Sequence, residues 1–92
     1  MNDPERLQAI SDALARCRAL RAIHKSEWSL ESVENQLVFL YKVENGEQTN
    51  RAKLMEINLG LLSVREISDL DDELRNLLTR VSSFVPYMQS GH

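Results

Sequence analysis

The segment INLGLLSVREISDLDDEL spans residues 57–74 and decides the architecture of the chain. Its first half is apolar, with the three- and four-residue spacing of a helix, and Ser68 and Asp69 then interrupt that spacing. Serine and aspartate side chains accept hydrogen bonds from the free N–H groups at a helix start, so a new helix is predicted after them. The segment therefore predicts a helix end, an acidic turn and a helix start.

Two more helices are predicted upstream of this segment. The first begins at Asp3, because an aspartate cap followed by Pro4 is typical of helix starts, and it ends near Lys25. The second begins with Ser29 as its cap and ends at the Asn45-Gly46 pair, which favours the left-handed backbone of a helix terminus. The predicted apolar stripes are Leu7, Ile10, Leu14, Cys17, Leu20 and Ile23 in the first helix, and Leu30, Val33, Leu37, Leu40 and Tyr41 in the second.

The third and fourth helices include the two halves of the deciding segment. Thr49 or Asn50 is expected to cap the third, in which Gly60 indicates close packing against a neighbour. The fourth follows the acidic turn and is ended by Pro86. The tail is expected to fray from about Met88. The predicted stripes are Leu54, Ile57, Leu61 and Val64 in the third helix, and Leu70, Leu74, Leu77, Val81 and Phe84 or Val85 in the fourth.

The composition is that of an ordinary globular chain. Of the 92 residues, 42% are hydrophobic and 27% charged, and three Gly and two Pro are too few to interrupt many helices. A chain this short cannot divide its core between two domains, and no alternating strand pattern occurs. The sequence therefore predicts an all-α fold, a compact single-domain bundle of about four helices over residues 1–92.

Charge and targeting features narrow the function. A net charge of -3 and a pI of about 5.3 provide no positive field for a nucleic-acid backbone or an anionic membrane. Residues 1–6 lack the basic and apolar regions of a signal peptide, and no apolar run approaches the ~18 residues of a membrane span. The single cysteine, Cys17, excludes an internal disulfide. We therefore expect a cytoplasmic protein that binds neither nucleic acid nor membrane.

Residues suited to catalysis or metal binding are scarce. His24 and His92 stand far apart in the sequence, and no cysteine or carboxylate lies at a metal-ligand spacing from either. Cys17 falls between Leu14 and Leu20 on the apolar stripe, where a packed structural thiol is far commoner than a nucleophile. No phosphate loop or nucleophile elbow is present. We therefore predict no catalytic residue, no cofactor and no metal site, and hence no enzyme.

Two charged clusters remain, and each has two interpretations. The first helix carries a basic cluster of Arg16, Arg18, Arg21 and Lys25. This cluster suits phosphate but is more typical of a solvated helix face. In the acidic turn, stabilisation of the helix dipole explains only two of the charges. The others indicate equally well a surface that binds a cationic partner or a turn that is simply solvated. The candidate partner-binding residues of the acidic turn are Glu66, Asp69, Asp71, Asp72 and Glu73.

The segment Ile57–Ile67, followed by the acidic turn, resembles the corresponding part of small helical immunity proteins that accompany type VI secretion toxins. The residues that carry the resemblance are Leu59-Gly60, Val64-Arg65-Glu66 and Asp72-Glu73-Leu74. Residues 32–40, SVENQLVFL, resemble the second-helix segment of that family more loosely. The first helix and the tail from Ser82 depart from the family's pattern.

The resemblance implies a non-catalytic antitoxin. In that family the toxin is an NAD(P)+ glycohydrolase or a relative that makes (p)ppApp from adenosine nucleotides, and the immunity protein covers the toxin's active site in the cytoplasm. A cleft for phosphate-bearing substrates is cationic, so the acidic turn suits such a partner. A secretion chaperone or other assembly adaptor is the alternative function, and a small regulatory enzyme is a third. We expect a monomer or a weak homodimer formed through Val38, Phe39, Met55 and Leu62.

Overall fold

The described residues fold into helices and connecting turns. The computed structural model describes residues 3–48 and 51–89, in which no strand occurs. The α-helices are α1 Pro4–Ile23, α2 Trp28–Glu44, α3 Leu59–Leu62, α4 Asp72–Ser82 and α5 Val85–Gln89. A 3-10 helix, Arg51–Glu56, precedes α3, and a π-helix, Ser63–Ile67, continues it. The predicted fold class, an all-α bundle of about four helices, is confirmed.

Helices α1 and α2 form an antiparallel hairpin. Near the start of α1, Arg6 Nη1 lies 3.5 Å from Glu44 Oε1 at the end of α2. Glu44 is fully buried, and its Oε2 accepts a hydrogen bond of 2.8 Å from the backbone N–H of Asp3. Further along, the Cys17 thiol donates to the carbonyl of Leu30 at 3.2 Å. These contacts pair early residues of one helix with late residues of the other.

The ends of this hairpin follow the predicted pattern with small shifts. Asp3 caps α1 as predicted, because its Oδ1 accepts from the N–H of Glu5 at 2.9 Å. The helix ends at Ile23 rather than near Lys25, and Ile23 is 72% exposed instead of lying on the apolar stripe. Helix α2 begins before the predicted cap, so Ser29 is a buried helical residue.

The predicted end of α2 at the Asn45-Gly46 pair is confirmed. Gly46 has a φ of +90°, which glycine adopts without the steric cost that a Cβ adds. The two predicted caps of the following helix, Thr49 and Asn50, lie outside the described residues.

The prediction of a single third helix is wrong, because the structure divides this region into three short helices. The 3-10 helix ends at Glu56, and Asn58 separates it from α3. Asn58 is held there by α2, because its backbone N–H donates to Gln36 Oε1 at 2.9 Å while Gln36 Nε2 donates to Asn58 Oδ1 at 2.7 Å. This reciprocal contact with a distant residue stabilises the break.

The break at Asn58 and the π-helix together change which side chains of this region are buried. A π-turn accommodates one more residue than an α-turn, so side chains after it no longer follow the α-helical spacing. Leu61 and Val64, predicted to be core residues, are exposed. Leu54 is buried as predicted, whereas the residues buried in place of Leu61 and Val64 are Leu59, Leu62, Ser63 and Ile67. Gly60 does face α4, where a Cβ would lie 3.6 Å from Ser82 Oγ in ordinary contact.

The C-terminal helices also differ from the prediction. Helix α4 ends at Ser82, and Pro86 lies in the first turn of α5, where proline's missing N–H costs little, rather than ending α4. Leu78 takes the buried position predicted for Leu77. Met88 is fully buried in α5, so the expected fraying does not begin there. Residues 90–92 lie outside the described residues.

One cluster of buried apolar side chains joins all of these helices. Of the apolar residues predicted to remain for a homodimer, Leu62 is buried, and Val38 and Phe39 pack partly against the cluster. Met55 is 81% exposed. Within residues 3–48 and 51–89, no helix has both the length and the apolar character that crossing a bilayer requires.

Candidate functional site

The acidic turn connects the π-helix to α4 and is stabilised by hydrogen bonds to backbone carbonyls of the preceding helix. The N–H groups of Leu70 and Asp71 both donate to the carbonyl of Ile67, each at 2.9 Å. Ser68 Oγ donates to the carbonyl of Val64 at 2.7 Å. The turn therefore has a defined conformation in which its carboxylates have different surroundings.

Asp71 is the structural centre of the turn. Its side chain is only 13% exposed, and its Oδ2 caps α4 by accepting from the N–H of Leu74 at 2.8 Å. Arg16 of α1 donates to both carboxylate oxygens, from Nη2 to Oδ1 at 2.7 Å and from Nε to Oδ2 at 2.9 Å. Paired guanidinium–carboxylate bonds of this kind are strong and directional. Asp71 thus attaches the start of α4 to α1.

Arg16 also reaches a second carboxylate of the acidic turn. Its Nε lies 3.4 Å from Glu73 Oε2, although the Glu73 side chain is 65% exposed. The hydrogen bonds from Arg16 are the main reason that the pKa of Asp71 lies below its ordinary value. Two of the five predicted site residues therefore compensate a cation from the same chain.

The other three carboxylates have no such compensation. Glu66, Asp69 and Asp72 are exposed, and none forms an ion pair within the part of the chain that the structure describes. Their negative charge is available to a partner. The structure thus divides the predicted site into an anchoring pair, Asp71 and Glu73, and an exposed acidic trio, Glu66, Asp69 and Asp72.

Most side chains of the basic cluster form ion pairs with carboxylates of the same chain. Arg21 Nη1 lies 3.0 Å from Glu34 Oε1, and Arg18 Nε lies 3.4 Å from Glu34 Oε2. The bond from Arg21 is the largest reason that the pKa of Glu34 is lowered. With Arg16 bound to Asp71, these arginines connect α1 to α2 and α4. The sequence did not indicate these pairings, because the partners are far apart along the chain.

Two kinds of catalytic group can be checked in the described part of the chain, a reactive thiol and a metal cluster. Cys17 is buried as predicted, and burial raises the pKa of its thiol to about 11, so it stays protonated near neutral pH. No three His, Cys, Asp or Glu side chains among the described residues gather in a way that could hold a metal ion. The exposed trio provides negative charge that can attract a positively charged partner surface.

Acidification is expected to destabilise the protein through Asp71 and Glu34. Because both carboxyl groups have lowered pKa values in the folded state, they contribute stability above their unfolded pKa of about 4, and this contribution is lost as the pH falls through the folded values. Urea unfolding from about pH 5 to about pH 3 measures the loss. Asp71→Asn keeps an oxygen that can cap α4 and should lose less stability over this range. Equal losses of stability in the variant and the wild type would mean that ionisation of Asp71 does not contribute to stability.

Comparison with known proteins identifies the family of this chain. The family model Tsi6, which describes type VI secretion immunity proteins, matches residues 5–86. Comparisons with the curated proteins and with the solved structures return no match. The matched range includes α1, α2, the π-helix and the whole acidic turn, and it confirms the resemblance based on the segment Ile57–Ile67. The chain therefore belongs to the Tsi6 family of type VI secretion immunity proteins.

Proposed function

We propose that this protein binds a cognate secreted toxin domain and covers its active site, and so protects the cell that makes it. The observation that supports this most is the exposed acidic trio next to a helix start that Arg16 holds in place. Compensating cations for the trio would come from the partner, and an oriented negative surface both speeds association and selects a positively charged target. Membership of the Tsi6 family supports a toxin as that target.

The toxin that fits this surface best acts on nucleotides. We propose an NAD(P)+ glycohydrolase or a (p)ppApp synthetase, because an enzyme that binds phosphate-bearing substrates in a cleft needs positive charge there. An acidic surface that enters such a cleft competes directly with substrate. Its place of action is then the cytoplasm, where the nucleotide substrates are found. The protein itself has no catalytic role in this proposal.

Co-expression with the type VI toxin encoded beside this gene tests the proposal. Cells that make the toxin alone should stop growing and lose NAD(P)+ or accumulate (p)ppApp, whereas cells that also make this protein should grow. The purified protein alone should leave both nucleotide pools unchanged, because the Cys17 thiol is buried and protonated near neutral pH and the described residues form no metal cluster. A protein that promotes toxin export without rescuing growth would instead be an assembly adaptor.

A further inference from the structure

Two large aliphatic side chains are exposed just before the acidic turn. Leu61, in α3, is 51% exposed, and Val64, in the π-helix, is 69% exposed. They stand three positions apart in the continuous helical segment that α3 and the π-helix form. We call Leu61 and Val64 the apolar pair.

The exposure of this pair is not what hydrophobic burial favours. Within the same segment Ser63 is fully buried, and its hydroxyl donates to the carbonyl of Arg75 in α4 at 3.2 Å. The fold therefore buries a serine while two aliphatic side chains remain in water, at a π-helix of the kind that is frequent at functional sites. Positions where the fold departs from hydrophobic burial in this way are expected at functional sites.

The apolar pair is followed along the chain by the exposed acidic trio. Glu66 follows Val64 by two positions, Asp69 lies in the turn beyond it, and Asp72 is the first residue of α4. A partner that covered the pair with purely apolar surface would remove water from nearby carboxylates without compensating them, which is unfavourable. The complementary partner surface is an apolar recess bordered by basic side chains.

We propose that Leu61 and Val64 are the apolar anchor of the toxin interface and insert into such a recess on the toxin; this inference rests on the proposed function. Buried apolar contacts at the centre of an interface mainly determine how slowly the complex dissociates, while exposed charges mainly determine how fast it forms. The pair and the acidic trio therefore affect different rate constants.

Binding kinetics separate the two contributions. The probe is the catalytically inactivated domain of the type VI toxin encoded beside this gene, immobilised for surface plasmon resonance. Leu61→Ala and Val64→Ala should each increase the dissociation rate roughly tenfold and leave the association rate within about twofold of wild type. Met55→Ala is the matched control, because Met55 is 81% exposed on the separate 3-10 helix, and both rates should stay unchanged.

The outcomes distinguish this inference from the proposed function. If the wild-type protein does not bind the toxin domain, both fail. If it binds and the Leu61→Ala/Val64→Ala double variant dissociates at the wild-type rate, the apolar anchor is wrong while the proposed function stands. Circular dichroism confirms that each variant is folded. Val64→Thr keeps the shape of the side chain and should also dissociate faster, so the inference remains testable if the double variant misfolds.

Discussion

Leu37→Ala is expected to lower the free energy of unfolding by about 2–5 kcal/mol. Leu37 is fully buried in α2, where it belongs to the cluster that joins the helices. Truncation removes apolar contacts and leaves a cavity that the surrounding helices fill only in part. The loss is a large fraction of the roughly 5–15 kcal/mol that stabilises a typical domain. Urea unfolding followed by circular dichroism measures it.

Leu61→Ala is the matched control for this prediction. The chemical change is identical, but half of the Leu61 side chain is already in water, so the change should stay within about 0.5 kcal/mol. Alanine also favours a helix at least as well as leucine does, so α3 is not weakened. Similar losses for Leu37→Ala and Leu61→Ala would mean that Leu61 is buried in the core as the sequence predicts, and not exposed on α3.

The contrast between these leucines shows where sequence reasoning reaches its limit. Local signals identified α1 and the end of α2, since the cap at Asp3 and the positive φ at Gly46 depend on neighbouring residues. Both Leu37 and Leu61 fit an apolar helical stripe. They differ because the chain breaks at Asn58, which contacts Gln36, just before the short helix that contains Leu61. Tertiary contacts of this kind leave no local pattern in the sequence.

The candidate site was predictable to a similar extent. The local sequence identified the acidic turn, because the five carboxylates within residues 66–73 exceed the two that the helix dipole explains. Their division into two roles was not predictable, since it depends on Arg16, which is 55 positions from Asp71. The basic cluster that seemed typical of a solvated face supplies this cation. Arg16 therefore cannot serve as an inert control in a binding experiment.

Reversal of the acidic trio is expected to have the largest effect on toxin binding. Glu66→Lys, Asp69→Lys and Asp72→Lys together should slow association by roughly tenfold or more at low ionic strength, because they replace attraction with repulsion. Added salt should reduce the difference, since it screens exposed charges. Asp71 is left unchanged because it caps α4 and binds Arg16. Stopped-flow mixing with the inactivated toxin domain measures the rate.

A second triple variant tests whether the position of the charges matters. Glu5→Lys, Glu47→Lys and Glu56→Lys change the net charge by the same amount at exposed positions outside the acidic turn. Glu5 lies in the first turn of α1, next to the Asp3 cap, and Glu47 follows the end of α2. Each variant reverses one acidic residue in the first turn of a helix, Asp72 or Glu5, so both should lose about the same small amount of melting temperature. If the two variants slow association equally, the overall charge attracts the toxin and the acidic trio is not its binding surface. If only the first variant slows association, the attraction is local to the acidic turn.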